Sequence, residues 1–308
     1  MTSTFKGNLF ALILILLQFF GSIYIVPILA AMVPSYICLL IFTQLLFLLA
    51  PVLFYFAVTG ENFKEVLSLR ILSFKNLCLV TLIALASQPV AWFLSYLSSL
   101  LFNNDVVDLF GSISIYPYWM LLIVLAVIPS FCEELAIRGV VLHGYKKEPV
   151  LSAAIITGLI FGMLHLNPQQ LLYTSIIGVL FGYLVRITHS IFSAMIAHFV
   201  FNGFQVTISK LSFDRMEISR GMENFSVLGE TTMLSTGIVM GVIAVIFGLI
   251  IVYLLRRLKL SSYGTNIEIV DGINEEDDIK EAPKDNPFNL PLIAIIFIFI
   301  GIMLFSYI

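Results

Sequence analysis

Cys132-Glu133-Glu134-Leu135-Ala136-Ile137-Arg138 lies inside an apolar run that extends from Tyr116 to Leu142. A run of that length crosses a bilayer, whose hydrocarbon core takes about 20 helical residues. Read as a span, it puts two carboxylates and a guanidinium at membrane depth. Each such group costs at least roughly 2.5 to 3.5 kcal/mol on insertion scales, so charge retained there marks a function. Of the nineteen acidic residues in the chain, Glu133 and Glu134 alone fall inside a predicted span.

Working outward, the 308 residues are 60% hydrophobic and 11% charged, against roughly 25% charged in soluble domains. The mean hydropathy of +1.04 agrees with an integral membrane protein. Apolar runs lie near 8–31, 36–58, 77–102, 117–142, 150–166, 170–187, 190–208, 233–255 and 289–307, nine in all, and no period-2 alternation argues for a barrel. The expected fold is therefore an all-α, polytopic transmembrane bundle of about nine spans. The first run ends in small residues, Ala30-Ala31, as signal peptides do, but its apolar stretch exceeds the 7 to 15 residues of a signal core and reads as a retained span.

Three cysteines, Cys38, Cys78 and Cys132, all inside predicted spans and without Cys-x-x-Cys spacing, suggest neither a disulfide framework nor a zinc knuckle. No basic patch argues for nucleic acid. With the N-terminus inside, twelve Lys and Arg residues fall in inner segments and three, Lys210, Arg215 and Arg220, in one outer loop. The positive-inside rule thus favours a cytoplasmic N-terminus, and the lack of any targeting signal besides the first span suits a bacterial plasma membrane.

Between spans two and three, over residues 60–75, Phe63, Val66, Leu67, Ile71 and Phe74 recur at helical spacing. This fits a short interfacial helix as well as it fits an ordinary connecting loop. Gln88-Pro89 in span three suggests a kink or a bundle contact. Residues 103–114, with Asp105 and Asp108, read as an outer loop. Residues 268–285 carry eight acidic and two basic residues and read as disordered, without calcium-loop spacing. No internal repeat of the kind many transporters show is apparent. The chain divides into spans one to three (1–114), a core of spans four to seven (115–208), and a C-terminal pair of spans with an acidic loop at 256–288 (209–308).

The core holds the chemistry. On a helix, Glu134 and Arg138 are i and i+4, with the acid N-terminal, the favourable order for an ion pair. Glu133 points about 100 degrees away, and of two adjacent carboxylates in a dry site one must keep a proton or find a cation. His143 and His189 fall at span ends and read as interfacial. His165 ends Phe161-Gly162-Met163-Leu164-His165, and His198 shares a face with Asn202 at i+4. Singly, such groups often just bond neighbouring helices, and Cys132 reads as core filler. Together they suit activation of water for hydrolysis.

Glu133-Glu134 with Arg138, then Phe161 with His165, then His198 with Asn202, in order on successive helices, resemble the CPBP family of CAAX proteases and bacteriocin-processing enzymes, the Abi or Rce1-like intramembrane proteases. The resemblance covers about residues 115–206. It implies that Glu133 activates water, that His165 holds or polarises it, that His198 and Asn202 stabilise the oxyanion, and that Glu134 with Arg138 orders the site around a conical polar cavity. It also implies a membrane-anchored substrate, a prenylated CAAX peptide or a bacteriocin- or signal-like peptide. Glu133, His165 and His198 could hold zinc or another divalent metal, and a metal-free glutamate mechanism is equally compatible with them. His-Glu-x-x-His, Gly-x-Ser-x-Gly and Gly-x-Gly-Asp are all absent. Two other classes stay open: a non-catalytic immunity or scaffold protein, and an ion-coupled transporter using the two glutamates as a relay. One expectation conflicts with the rest. Counted from the inner loops, Glu133 and His198 are about ten residues deep and His165 about fifteen, so span five must start deeper, tilt, or break near Gly158 or Gly162.

Overall fold

A computed structural model describes residues 2–103, 105–220, 230–266 and 286–305. Among them, seven helices are long and apolar enough to cross a membrane: α1 (Ser3–Met32), α2 (Tyr36–Thr59), α4 (Phe74–Ser99), α6 (Tyr118–Gly144), α8 (Pro168–Thr188), α9 (Ile191–Arg220) and α10 (Glu230–Asn266). Four shorter helices complete the set: α3 (Phe63–Val66), α5 (Asp105–Ile113), α7 (Val150–Leu164) and α11 (Leu290–Phe305). The all-α bundle is as the apolar runs imply. Runs five and nine, however, fold as α7 and α11, with 15 and 16 helical residues, fewer than the other seven.

Local chemistry sets the helix ends. Ser35, Ser73 and Asn167 cap α2, α4 and α8, their side-chain oxygens accepting from the amides of Cys38, Asn76 and Gln170. Pro168 occupies the first turn of α8, where its missing N–H is not needed. Gly60 ends α2 at φ +63°, the left-handed conformation that glycine adopts without strain.

The first run is one helix packed into the bundle. A Cβ on Gly7 would stand 2.9 Å from the Val141 carbonyl oxygen and one on Gly144 3.0 Å from the Gly7 Cα, so the backbones of α1 and α6 touch. Asn8 accepts from the buried Tyr145 hydroxyl and donates to the Pro287 carbonyl at 3.0 Å, tying α1 to the end of α6 and the start of α11. Arg186, at the end of α8, donates to the carbonyls of Tyr145 and Glu148 at 2.8 and 2.9 Å.

Three connecting segments differ from their sequence reading. In the 60–75 segment the helical residues are Phe63–Val66 and the first two of α4, and the chain between them turns at Ser68 with φ 48°. Val66 and Leu67 are buried while Ile71 and Phe74 are 87% and 79% exposed, so the five apolar residues do not share one helical face. Residues 105–113, expected as loop, form α5, whose Phe110 and Ile113 pack in a cluster with Ile37, Leu121, Val124 and Val206. The supposed outer loop after 208 begins as a continuation of α9 to Arg220. The acidic stretch 268–285 lies outside the described residues.

Gln88 makes the bundle contact expected of it, donating to the Phe201 carbonyl at 2.9 Å, and α4 runs on through Pro89. The main core runs from Phe10 to Phe299 and draws on most of the helices. Large apolar side chains such as Phe54, Val58, Leu249 and Phe297 point outward, the surface a bilayer requires. The tightest pairing is α7 with α8. A Cβ on Gly158 would fall 2.8 Å from the Val179 Cα, and one on Gly162 2.9 Å from the Leu171 carbonyl oxygen. Neither glycine breaks α7. Both serve to bring two backbones together.

Candidate active site

Three π-helical turns bracket the site: Leu45–Leu49 in α2, and Ile123–Val127 and Leu135–Val141 on either side of the α-helical stretch Ile128–Glu134 in α6. Such turns often accompany functional sites, because one wider turn redirects the side chains that follow it.

Glu134 is completely buried, and Arg138 four residues later donates to its Oε1 at 3.0 Å. The second Arg138 nitrogen donates to the Gly178 carbonyl at 3.1 Å, and the guanidinium lies 4.2 Å from the centre of the Phe161 ring. This is the ion pair that the i, i+4 spacing implies, clamped by α7 and α8.

His198 on α9 brings its Nδ1 within 2.8 Å of the same Glu134 Oε1. Its Nε2 is 3.1 Å from the Asn202 amide nitrogen, which also donates to the Leu125 carbonyl at 3.0 Å. The Leu125 carbonyl can only accept, so it fixes which end of the Asn202 amide is nitrogen. Nε2 of a neutral His198 must then accept, and its proton resides on Nδ1, shared with Glu134. Phe161 and Phe181 flank the ring, with centroids at 6.0 and 5.4 Å. A continuous chain therefore runs from Gly178 through Arg138, Glu134, His198 and Asn202 to Leu125.

Glu133 is placed differently. It faces a cavity of about 510 Å³ together with His165, His198 and Asn202. Its Oε1 accepts from the Gln44 amide nitrogen at 3.3 Å, and its Oε2 is 4.0 Å from His198 Nε2. Among the described residues no lysine or arginine forms an ion pair with it, whereas Arg138 pairs with Glu134. The two adjacent carboxylates thus acquire separate environments: one buried and paired, one facing a cavity large enough for many waters.

His165 caps the C-terminus of α7. Its Nδ1 donates to the Phe161 carbonyl at 2.9 Å, which leaves Nε2 with a free lone pair. The Phe161 ring stands between the two histidines, 5.0 Å from His165 and 6.0 Å from His198. All six residues singled out in the sequence thus meet around one cavity wall, four lining it and Glu134 and Arg138 behind it. α7 is a single unbroken helix of 15 residues, a rod of about 22 Å at about 1.5 Å each, and its C-terminal His165 still lines the same cavity as Glu133 and His198.

A metal fits this donor set poorly. His198 has both ring nitrogens engaged, and among the described residues no three His, Cys, Asp or Glu side chains gather as ligands. His143, 3.4 Å from the Lys146 amine, and His189, the left-handed cap of α8, stand apart from the site. Cys132 is buried in the core.

Sequence reasoning passed over Gln44, Tyr173 and Gln169, which also line the cavity. Gln169 donates to the Ser95 hydroxyl at 2.8 Å, and the Tyr173 hydroxyl donates to the Gln170 side chain at 3.3 Å. For Gln44 the signal was available: it is a lone amide in the apolar run 36–58.

Fold and site together define a polytopic helical membrane protein with a carboxylate-bearing cavity among its helices, its walls more apolar than polar. Residues 115–204 match the family model described as type II CAAX prenyl endopeptidase Rce1-like. The match covers α6 to α9 up to the site and includes the six residues above. No curated protein and no solved structure matches the chain significantly.

Proposed function

We propose that the chain is an intramembrane endopeptidase that hydrolyses a peptide bond of a membrane-anchored substrate, with Glu133 as the base. The observation that carries this reading is the asymmetry of the two glutamates. Within the segment that matches a family of proteases, Arg138 pairs with Glu134, and Glu133 faces the cavity with no lysine or arginine paired to it among the described residues.

In the proposed reaction a water beside Glu133 gives its proton to the carboxylate while its oxygen bonds to the scissile carbonyl carbon. The free Nε2 of His165 accepts a hydrogen bond from the second O–H of that water, which keeps its proton, and so orients it. The tetrahedral oxyanion then collapses, the C–N bond breaks, and the proton held by Glu133 passes to the departing amine. Donation to the oxyanion from Asn202 requires it to exchange its hydrogen bond to His198. A donor of this kind is worth about 3 to 4 kcal/mol. The buried chain of Arg138, Glu134 and His198 keeps that pair oriented. Trp92, Phe110 and Phe213 give the cavity apolar walls beside its polar end, which suits a prenylated CAAX peptide or a bacteriocin- or signal-like segment.

The test is cleavage of membrane-anchored peptides, prenylated and unprenylated, by the lipid-reconstituted chain. The expected result is cleavage by the native chain and loss of it in Glu133→Gln with an unchanged helical spectrum. A chelator-treated native sample reports whether a metal is needed. Cleavage that survives Glu133→Gln would overturn the assignment of the base.

A further inference from the structure

Gln44 lies far outside residues 115–204 and outside every motif read from the sequence. It ends the α-helical part of α2 immediately before the π turn Leu45–Leu49, and this stretch packs against the Ile128–Glu134 segment of α6. Among the described residues, it is the side chain that donates a hydrogen bond to Glu133, from Nε2 to Oε1 at 3.3 Å. Its own Oε1 is buried without a partner.

Gln88 and Gln169 share that pattern while bonding neighbouring helices, so what sets Gln44 apart is that its nitrogen reaches a carboxylate. A buried acceptor with no donor is destabilising, and leucine or methionine would fill the same place in an apolar run without that defect. The orientation of the amide follows from its neighbour, since turning it over would bring its oxygen against a carboxylate oxygen. The unfavourable group is thus retained in the one position where its N–H reaches Glu133. A second neighbour of that carboxylate, His198 Nε2 at 4.0 Å, already accepts from Asn202 and offers Glu133 no proton.

We propose that Gln44 is a positioning residue, whose amide nitrogen holds one oxygen of Glu133 at the cavity wall and leaves the other for the reacting water. The proposal rests on the reading of Glu133 given above. It extends the catalytic unit from α6, α7 and α9 to α2.

The experiment compares native chain, Gln44→Met, Glu133→Gln and the double variant, all in lipid, by cleavage kinetics, thermal unfolding and substrate binding to the two Glu133→Gln proteins. Loss of one hydrogen bond to a charged group corresponds to about a 10- to 100-fold fall in kcat. The expected outcome is that fall in Gln44→Met with KM within about twofold. The unfolding midpoint should be equal or higher, because the orphan oxygen is gone, and substrate affinity should be the same in Glu133→Gln with and without Gln44→Met. A kcat within about threefold of native would overturn the proposal. A change confined to KM, or a midpoint that falls along with kcat, would also overturn it. Full activity in Glu133→Gln is a separate result, which refutes the base itself; retention in Gln44→Met beside a dead Glu133→Gln refutes only the role of Gln44.

Discussion

Replacing Arg138 by methionine removes the one cation from a fully buried cluster, and the consequence can be worked from its contacts. The Arg138 and Glu134 side chains are both 0% exposed, so no water can take over the pairing. Breaking such a pair from one side costs about 3 to 5 kcal/mol, because the other charge stays buried. At 1.4 kcal/mol per factor of ten, the folded-to-unfolded ratio falls by roughly two to three and a half orders of magnitude. The Gly178 carbonyl loses its donor and Phe161 the guanidinium at 4.2 Å, both of which push the same way. The assay is reversible denaturation in bicelles, followed by far-ultraviolet circular dichroism, of native, Arg138→Met, Glu134→Met and the double variant. The double variant should be more stable than Arg138→Met alone, since it buries no lone charge, yet its cleavage activity should stay low because His198 has lost its anchor. A single-variant cost under about 1 kcal/mol, or a double variant whose loss equals the sum of the singles, would refute the account of a desolvated, mutually dependent pair.

Nitrogen-15 spectra of histidine-labelled protein should show His198 protonated at Nδ1 and bare at Nε2, and a proton found on Nε2 would remove the inferred tautomer; Asn202→Ala should lower kcat by about a hundredfold as the ring loses its second anchor. Gly158→Ala should destabilise by about 1 to 3 kcal/mol, measured by the same denaturation, because its methyl group meets the Val179 backbone rather than a movable side chain. At the end of α2, burial alone would raise the Glu61 carboxyl, but hydrogen bonds from Tyr55 at 2.8 Å and Lys6 at 3.2 Å outweigh it and hold its pKa below the ordinary 4.5. A depressed acid adds stability that is present above its unfolded pKa and lost as pH falls through the folded one. Glu61→Gln should therefore flatten the decline in stability below about pH 4.5, and an unchanged acid limb would count against the contact.

The legible part of the site is the part with internal spacing. Glu134 and Arg138, and His198 and Asn202, announce themselves as polar pairs one helical turn apart in apolar runs, and both pairs form. Gln44 has no partner at such a spacing, and its meaning comes from α6 packing across it, which a single sequence does not encode. The stretch around Asp105 was misjudged because Asn103, Asn104 and Asp105 look like loop chemistry, whereas Phe110 and Ile113 anchor a helix by packing against Ile37 and Val124. The end of α7 was equally hidden: the apolar run continues to Leu166, and the helix stops because Leu166 turns left-handed, at φ 50°, and Asn167 caps the next one. The π turns beside Glu134 have no compositional mark at all.

The brevity of α7 also bears on the lipid around it. A rod of about 22 Å is shorter than a hydrocarbon slab of about 30 Å, a mismatch that a bilayer relieves by thinning locally or by letting water and headgroups reach the short end. Unwound backbone at membrane depth is tolerated only where protein or water surrounds it, and His165, where α7 ends, lines the cavity. Membrane thickness should then act as a setting of the machine: short-chain lipids relax the mismatch, long-chain lipids deepen it, and cleavage rates in vesicles of graded acyl length are expected to change accordingly.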